Sequence, residues 1–461
     1  MYDLMVKNGI LATETGPVQA DLAITDGKVA AWLQPGSGQQ AHDVVDAEGK
    51  YILPGFVDMH FHCRVPGRDD REDFDTATQS AAKGGVTTFI EMPIAKPSPH
   101  NAETLQNRID YAKDKAVIDY GFYGAGATGD AKKAWELAQA GAMGFKMFLH
   151  SPPKGREDEF QDLCAPGTEQ LYTALEANAK TGLLTCVHAE DDGIIRARTA
   201  AYGKGEANRY LEQFATRIPE AEELAIFTAG ICAKASKARL HICHISSEEG
   251  VQALRYLKSL GISISGESCP PYLWMDEDLL RQFGTYAKVN PPIRGGRHKA
   301  ALQRGLQDGT LDAIASDHAP FLPKEKEVSD FLAAPSGMPG VEFFGPAILD
   351  QVLRGTISLY DAVRLASAAP ARLLGIYGTK GCLQVGADGD FVLFDGEDSM
   401  TVDITKSFSK SKMSLYPYHA KTYRGKITAT YVRGHMVYQP EEITVPNGYG
   451  KFLPGPAFKR S

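Results

Sequence analysis

His60 and His62, separated by one phenylalanine at the end of the apolar run Tyr51-Ile-Leu-Pro-Gly-Phe-Val-Asp58, are the residues of this chain best spaced for chemistry. Alternate side chains of a strand leave on the same side, so the pair aims two imidazoles at one point, which is a metal-ligand geometry. Four further candidates stand at or near the ends of their own short apolar runs: Lys146 in Gly144-Phe-Lys-Met-Phe-Leu149, His188 in Leu183-Leu-Thr-Cys-Val-His188, His244 in Leu240-His-Ile-Cys-His244, and Asp317 in Ala313-Ile-Ala-Ser-Asp317. Imidazole and carboxylate ligands suit Zn2+, and Mn2+, Co2+ or Fe2+ could use the same set. Lysine is the odd member, because a protonated amine cannot ligate a cation. Carboxylated by CO2, it becomes an anionic carbamate whose two oxygens can bridge a pair of metals. Lys146 is therefore either a buried structural lysine or the bridge of a two-metal centre, and its company of four strand-end histidines and an aspartate favours the bridge.

Hydroxide held between two metals is a strong nucleophile near neutral pH, and a metal can also polarise a carbonyl oxygen, so hydrolysis is the natural reaction class. Asp317 can bind one metal, take the proton of the attacking hydroxide and return it to the leaving nitrogen. His150, His241 and His318 lie near the cluster in sequence but are left outside the ligand set, with His318 expected to stand behind a ligand. Cys63 and Cys243, beside ligands, read as wall residues.

The elements that must position these side chains follow from periodicity. From about residue 53, short apolar or β-branched runs alternate with helical patterns, the signature of βα units around a parallel sheet. The strand-like runs are Ile52–His62, Val86–Glu91, Ile118–Tyr123, Ala142–Leu149, Leu183–His188, Arg239–Ile245, Ile262–Gly266 and Leu311–Asp317, eight in all. Helical stretches such as Phe74–Lys83, Ala131–Ala140, Glu169–Lys180, Glu220–Lys234 and Glu248–Leu260 separate them. The pattern predicts an α/β (β/α)8 TIM barrel, in which the active site lies at the C-terminal strand ends, where the polar candidates fall. Residues 1–51 and 380–445 read instead as short strands and turns, so both termini are expected to build one small β-sandwich domain beside a barrel of residues 52–379, with 446–461 as a C-terminal tail. The connections 151–167, 189–218 and 318–342 exceed usual loop lengths and could act as lids or interface segments.

Composition narrows the partners. The 461 residues carry a formal net charge of -8 with no Lys/Arg block, which argues against nucleic acid and against an anionic membrane surface and leaves a small molecule as the substrate. No segment approaches about 20 uninterrupted apolar residues, and the N-terminus lacks a basic-then-apolar leader, so a cytoplasmic location is expected. Seven cysteines without paired spacing fit reduced thiols better than a disulfide framework.

Several longer stretches are similar to the cyclic-amidohydrolase branch of the amidohydrolase superfamily, the dihydroorotases, allantoinases and hydantoinases. They are Pro54-Gly-Phe-Val-Asp-Met-His-Phe-His62, Gly84-Gly-Val-Thr-Thr88 with Glu91-Met-Pro93, Gly144-Phe-Lys146, His188-Ala-Glu190, His241-Ile-Cys-His-Ile-Ser-Ser247, Glu267-Ser-Cys-Pro270, Pro291-Pro-Ile-Arg294 and Ser316-Asp-His-Ala-Pro320. The resemblance spans essentially the whole chain. It implies a binuclear zinc barrel with the six ligands above, a carboxylated Lys146, hydrolytic opening of a cyclic amide or imide, and assembly as a homodimer or homotetramer.

Substrate-binding positions mix the subfamilies. Arg64 and Asn290 resemble the dihydroorotase positions that hold the substrate carboxylate and ring. Ile94 and Phe321, however, stand where dihydroorotases typically show asparagine and histidine, which removes two polar partners of a carboxylate. Pro66-Gly-Arg68, Glu91-Met-Pro93 and the tail Gly448-Tyr-Gly-Lys-Phe452 look more like allantoinases and L-hydantoinase-like enzymes. Ser336 corresponds to the hydantoinase position whose backbone holds the ring amide. The expected substrate is a five-membered cyclic ureide such as allantoin or a substituted hydantoin, with dihydroorotate as the alternative. A non-catalytic relative of dihydropyrimidinase would have lost ligands, and all six are present here.

Overall fold

The computed structural model describes residues 1–202 and 210–459, so part of the 189–218 connection and the last two residues of the tail lie outside the described residues. Eight parallel strands follow one another around a barrel: β1 (Phe56–Phe61), β2 (Val86–Glu91), β3 (Asp119–Ala125), β4 (Gly144–Phe148), β5 (Leu184–His188), β6 (Arg239–Ile242), β7 (Ile264–Ser268) and β8 (Ala313–Ile314). Nearly every residue in them is buried, which is why they read as continuous apolar runs and not as alternating ones. The helices between them start where a side chain can satisfy free N–H groups. Asp73 caps α1 (Phe74–Lys83), an Asn101–Thr104 capping box opens α2 (Ala102–Lys113), and Asp130 caps α3 (Ala131–Gln139).

Closure of the barrel is made by a few bonds between its ends. The His62 N–H donates to the His318 carbonyl at 2.9 Å, and Phe61 and His318 form a parallel bridge. One turn deeper, the Asp58 carboxylate accepts from the Ser316 N–H at 3.0 Å and from the Ser316 hydroxyl at 2.5 Å. Val57, Met59, Ile90, Tyr123, Leu184, Cys186, Ala313 and Ala315 fill the interior. The β1–β2 register then slips between Asp58 and Phe61, and Phe61 and Cys63 pack in the outer layer against the helices. This irregularity turns His60 and His62 to the interior, as bulges beside active sites commonly re-aim side chains.

The apolar run from Tyr51 is divided at Gly55. Tyr51–Pro54 pairs antiparallel with Phe391–Phe394, inside a seven-stranded sheet that also holds Ile10–Thr13, Gly16–Gln19, Thr422–Val432, His435–Gln439 and Glu442–Ile443. A four-stranded sheet of Tyr2–Lys7, Asp21–Thr25, Lys28–Leu33 and Ala41–Asp46 packs on it through Val6, Leu22, Ile24, Phe391, Leu393 and Tyr431. Both termini thus contribute to the seven-stranded sheet. Buried Lys380 joins it to the barrel, binding Asp119 of β3 at 2.5 Å and Asp390 at 2.9 Å. The tail runs along the start of β3, with Tyr120 N–H donating to Lys451 O and Leu453 N–H to Tyr120 O.

Gly55 is the joint between sheet and barrel, and a Cβ there would overlap the Thr87 side chain of β2. Gly55→Ala is expected to push β1 off β2 at a cost of about 1–3 kcal/mol, read as a lowered thermal midpoint; an unchanged midpoint would mean that this close approach is absent.

Candidate metal centre

The six strand-end candidates converge at the C-terminal mouth of the barrel. His60 Nε2 lies 3.3 Å and His62 Nε2 lies 3.6 Å from Asp317 Oδ1. His188 Nδ1 faces His244 Nε2 at 3.0 Å. The rings of His60 and His244 are centred 5.2 Å apart, which links the two groups. Two ligand atoms on one tetrahedral zinc stand about 3.4 Å apart, so spacings of this order fit divalent cations. His60, His244 and Asp317 also fall together as a possible metal-holding trio.

Lys146 sits in the wall between the two groups. It is fully buried, and its Nζ donates to Cys243 Sγ at 2.9 Å, its one hydrogen bond among the described residues. The Nζ also lies 5.0 Å over the Phe148 ring, and no oxygen among the described residues hydrogen-bonds to it, surroundings that an anionic carbamate facing cations would fit. The donor set and this lysine fit a pair of divalent cations.

The electrostatics favour neutral nitrogens at three of the four histidines. Burial alone would lower the His60 pKa, but the facing carboxylates of Asp317 and Glu267 outweigh it and hold it up at about 10. His62, His188 and His244 are pushed well below the usual imidazole value by burial and by neighbouring positive groups, so they present neutral nitrogens suited to a cation. Burial raises the Asp317 carboxyl, the direction required of a group that takes and returns a proton. Asp317 keeps 16% side-chain exposure against 1% for His60 and 5% for His62, so it is the most open of the three. Three site residues, His244, Asp317 and Arg64, have φ of 36°, 46° and 67°, in the left-handed region that non-glycine residues seldom occupy.

Around this centre stand the other expected residues. Arg64 is buried, its Nε and Nη1 have no hydrogen-bond partner, and its guanidinium lies 5.2 Å over the Phe321 ring. Burial, with Arg156 and Arg71 nearby, brings its pKa down to about 9. Asn290 is half-buried and its Oδ1 accepts from Gln213 at 2.9 Å. Ser336 precedes Gly337, whose N–H donates to Lys288 O, and Met338 next to it bridges His318, so this segment lies beside the residue after Asp317. Ile94 packs with Ala125, Phe148, Phe160 and Leu163 in an apolar cluster, and Phe148 reaches to 5.5 Å from the His188 ring.

Sequence reasoning quoted Glu267 and Glu190 within motifs but gave them no role. Glu267 Oε1 accepts from His60 Nδ1 at 2.5 Å, and its other oxygen lies 3.2 Å from His241. Glu190 Oε2 accepts from His188 Nε2 at 2.8 Å and is clamped by Arg217 from the connection after β5. The available signal was a carboxylate at the end of an apolar run. Cys243, read as wall, contacts Lys146 directly. His150 stacks edge-on against His188 with ring centres 5.1 Å apart, and His318 accepts from the Gly340 N–H at 3.1 Å.

A (β/α)8 barrel that gathers imidazoles, a lysine and a carboxylate at its C-terminal strand ends is the framework of a metal-dependent hydrolase. The family model described as "Amidohydrolase family" matches residues 51–437, and the chain belongs to that family. It is 34% identical over 457 residues to an allantoinase of Bacillus velezensis, covering 98% of this chain and 97% of the relative. It is 33% identical over 461 residues to an L-hydantoinase of Paenarthrobacter aurescens, covering 98% of each. Among solved structures, an L-hydantoinase (dihydropyrimidinase) from Arthrobacter aurescens superposes with a TM-score of 0.92 at 32% identity, covering 98% of this chain and 100% of that one. The chain is a hydrolase of cyclic amides, and metal dependence fits its family.

Chelation and dialysis are expected to abolish ring opening and addition of a divalent cation to restore it, with metal and activity counted in the same sample. His60→Ala should lower bound metal without unfolding the barrel; full metal content and full activity in that variant would remove His60 from the site.

Proposed function

We propose that this protein opens a five-membered cyclic ureide, allantoin or a 5-substituted hydantoin, by hydrolysis at a pair of zinc ions bridged by N6-carboxylated Lys146. The observation that carries the reading is the pairing of ligand atoms at metal-ligand spacing around a buried lysine that lacks an oxygen partner. When bound, such a metal pair supplies an activated water near neutral pH and polarises the scissile carbonyl.

The chain's own residues do the rest. His60 and His62 present Nε2, and His188 and His244 present Nδ1 and Nε2, to the two positions. Asp317, with its raised pKa and its partial exposure, takes the proton of the attacking water at Oδ and delivers it to the ring nitrogen as the C–N bond breaks. Arg64, Asn290 and the backbone near Ser336 orient the ring. The apolar cluster of Ile94, Phe148, Phe160 and Leu163 beside His188 suits a ring with an apolar or uncharged substituent. Seven free cysteines support a cytoplasmic location; among the described residues no helix is long and apolar enough to cross a membrane.

A second reading is favoured by one observation. The buried Arg64 guanidinium with two unpaired N–H-bearing atoms would be best compensated by an anion, which would make dihydroorotate the substrate.

Purified enzyme loaded with zinc in bicarbonate buffer should turn over allantoin or a hydantoin, and Lys146→Ala should be inactive. Turnover of dihydroorotate alone would overturn the first reading in favour of the second. Arg64→Ala separates them further: on a neutral ureide kcat/KM should fall about 10-fold, whereas loss of a charge-assisted contact to a carboxylate should cost about 100-fold.

A further inference from the structure

The four candidate histidines are not equally supported, and the difference has a pattern. In the group of His60, His62 and Asp317, His60 donates its Nδ1–H to Glu267 at 2.5 Å, while His62 Nδ1 has no partner among the described residues. In the group of His188 and His244, His188 donates its Nε2–H to Glu190 at 2.8 Å, while His244 Nδ1 has none. Each group thus holds one imidazole fixed by a carboxylate and one that is not.

Each carboxylate is itself held from behind, by different parts of the fold. Glu267, on β7, lies at ion-pair distance, 3.2 Å, from His241 of β6 without a hydrogen bond between them, and His241 Nδ1 meets the Ser265 hydroxyl at 2.8 Å. Both carboxylate oxygens of Glu267 therefore face imidazoles in a fully buried pocket. Glu190 lies just beyond β5 and pairs with Arg217, whose carbonyl in turn accepts from Arg294 at 2.8 Å. Gln213, on the same connection as Arg217, donates to Val289 O and Asn290 Oδ1. One carboxylate is tied into the barrel wall, the other into the connection after β5.

We propose that Glu267 and Glu190 are positioning residues assigned one to each metal: Glu267 through His60 for the cation of the Asp317 side, Glu190 through His188 for the cation of the His244 side. This rests on the two-metal reading above. A carboxylate that accepts from one ring nitrogen fixes the tautomer and leaves the lone pair of the other nitrogen directed at the cation, and losing such a partner typically weakens metal binding 10- to 100-fold. The two effects are separable, since the carboxylates have different ligands and different supports.

The test is a titration of metal-free wild type, Glu267→Gln, Glu190→Gln and the double variant with Co2+ in bicarbonate buffer, read by the visible absorption of bound cobalt, with thermal midpoints measured alongside. Wild type is expected to bind two equivalents. Each single variant should keep one at wild-type affinity and bind the other 10- to 100-fold more weakly, and the double variant should bind both weakly, at unchanged midpoint. Isotherms that superpose on wild type would overturn the assignment, as would single variants that weaken both equivalents alike. Wild type binding fewer than two equivalents would overturn the two-metal reading itself, a result distinct from either.

Discussion

The seam between the first and last strands of the barrel is the contact on which the site depends. His60 and His62 lie near one end of the chain's barrel and Asp317 near the other, and they meet because Asp58 receives both the N–H and the hydroxyl of Ser316 while His62 N–H binds His318 O. These bonds stand in for a full ladder between β8 and β1. A buried carboxylate that left either Ser316 group unpaired would cost roughly 1–3 kcal/mol per group, so the closure is selective as well as stabilising. The strained backbone of Asp317 and Arg64 flanks this seam, where surrounding packing can hold it.

Much of this was legible in the sequence because parallel barrel strands are buried on both faces. Such strands appear as short unbroken apolar runs, and a polar residue that ends one marks the rim of the barrel. His188, His244 and Asp317 end or follow such runs, Lys146 interrupts one, and the helical stretch Phe74–Lys83 agrees with α1 to its ends, which Asp73 and Lys83 complement. What was not legible depends on contacts remote in sequence or on local irregularity. Strict alternation puts Val57, Met59 and Phe61 on one face, yet the register slip after Asp58 sends the first two inside and the third outside. Nothing in the composition of Tyr51–His62 shows that Gly55 hands the chain from one sheet to another. Glu267 and His60 are 207 residues apart, so their hydrogen bond has no sequence signal beyond a carboxylate in an apolar setting.

On the two-metal reading proposed above, Lys146 belongs among the ligands only as a carbamate. Lys146 is buried beside Cys243 and near His62, His188 and His244, whose imidazoles are pushed toward the neutral form. The substrate side is less uniform: Phe321 offers its ring to Arg64, Arg71 and Lys326, while Ile94 adds to an apolar wall. That combination of one free buried guanidinium with apolar surroundings distinguishes the substrate end of this barrel from its metal end.

The claim at the centre of the account is a two-metal cluster held by His60, His62, Lys146, His188, His244 and Asp317. Diffraction from crystals grown with zinc and bicarbonate, recorded on both sides of the zinc absorption edge, addresses it most directly. Two anomalous peaks about 3.5–4 Å apart among these six side chains, with density for a carboxyl group on Lys146 Nζ, is the expected result. A single peak, or an unmodified Lys146 beside two metals, would contradict it.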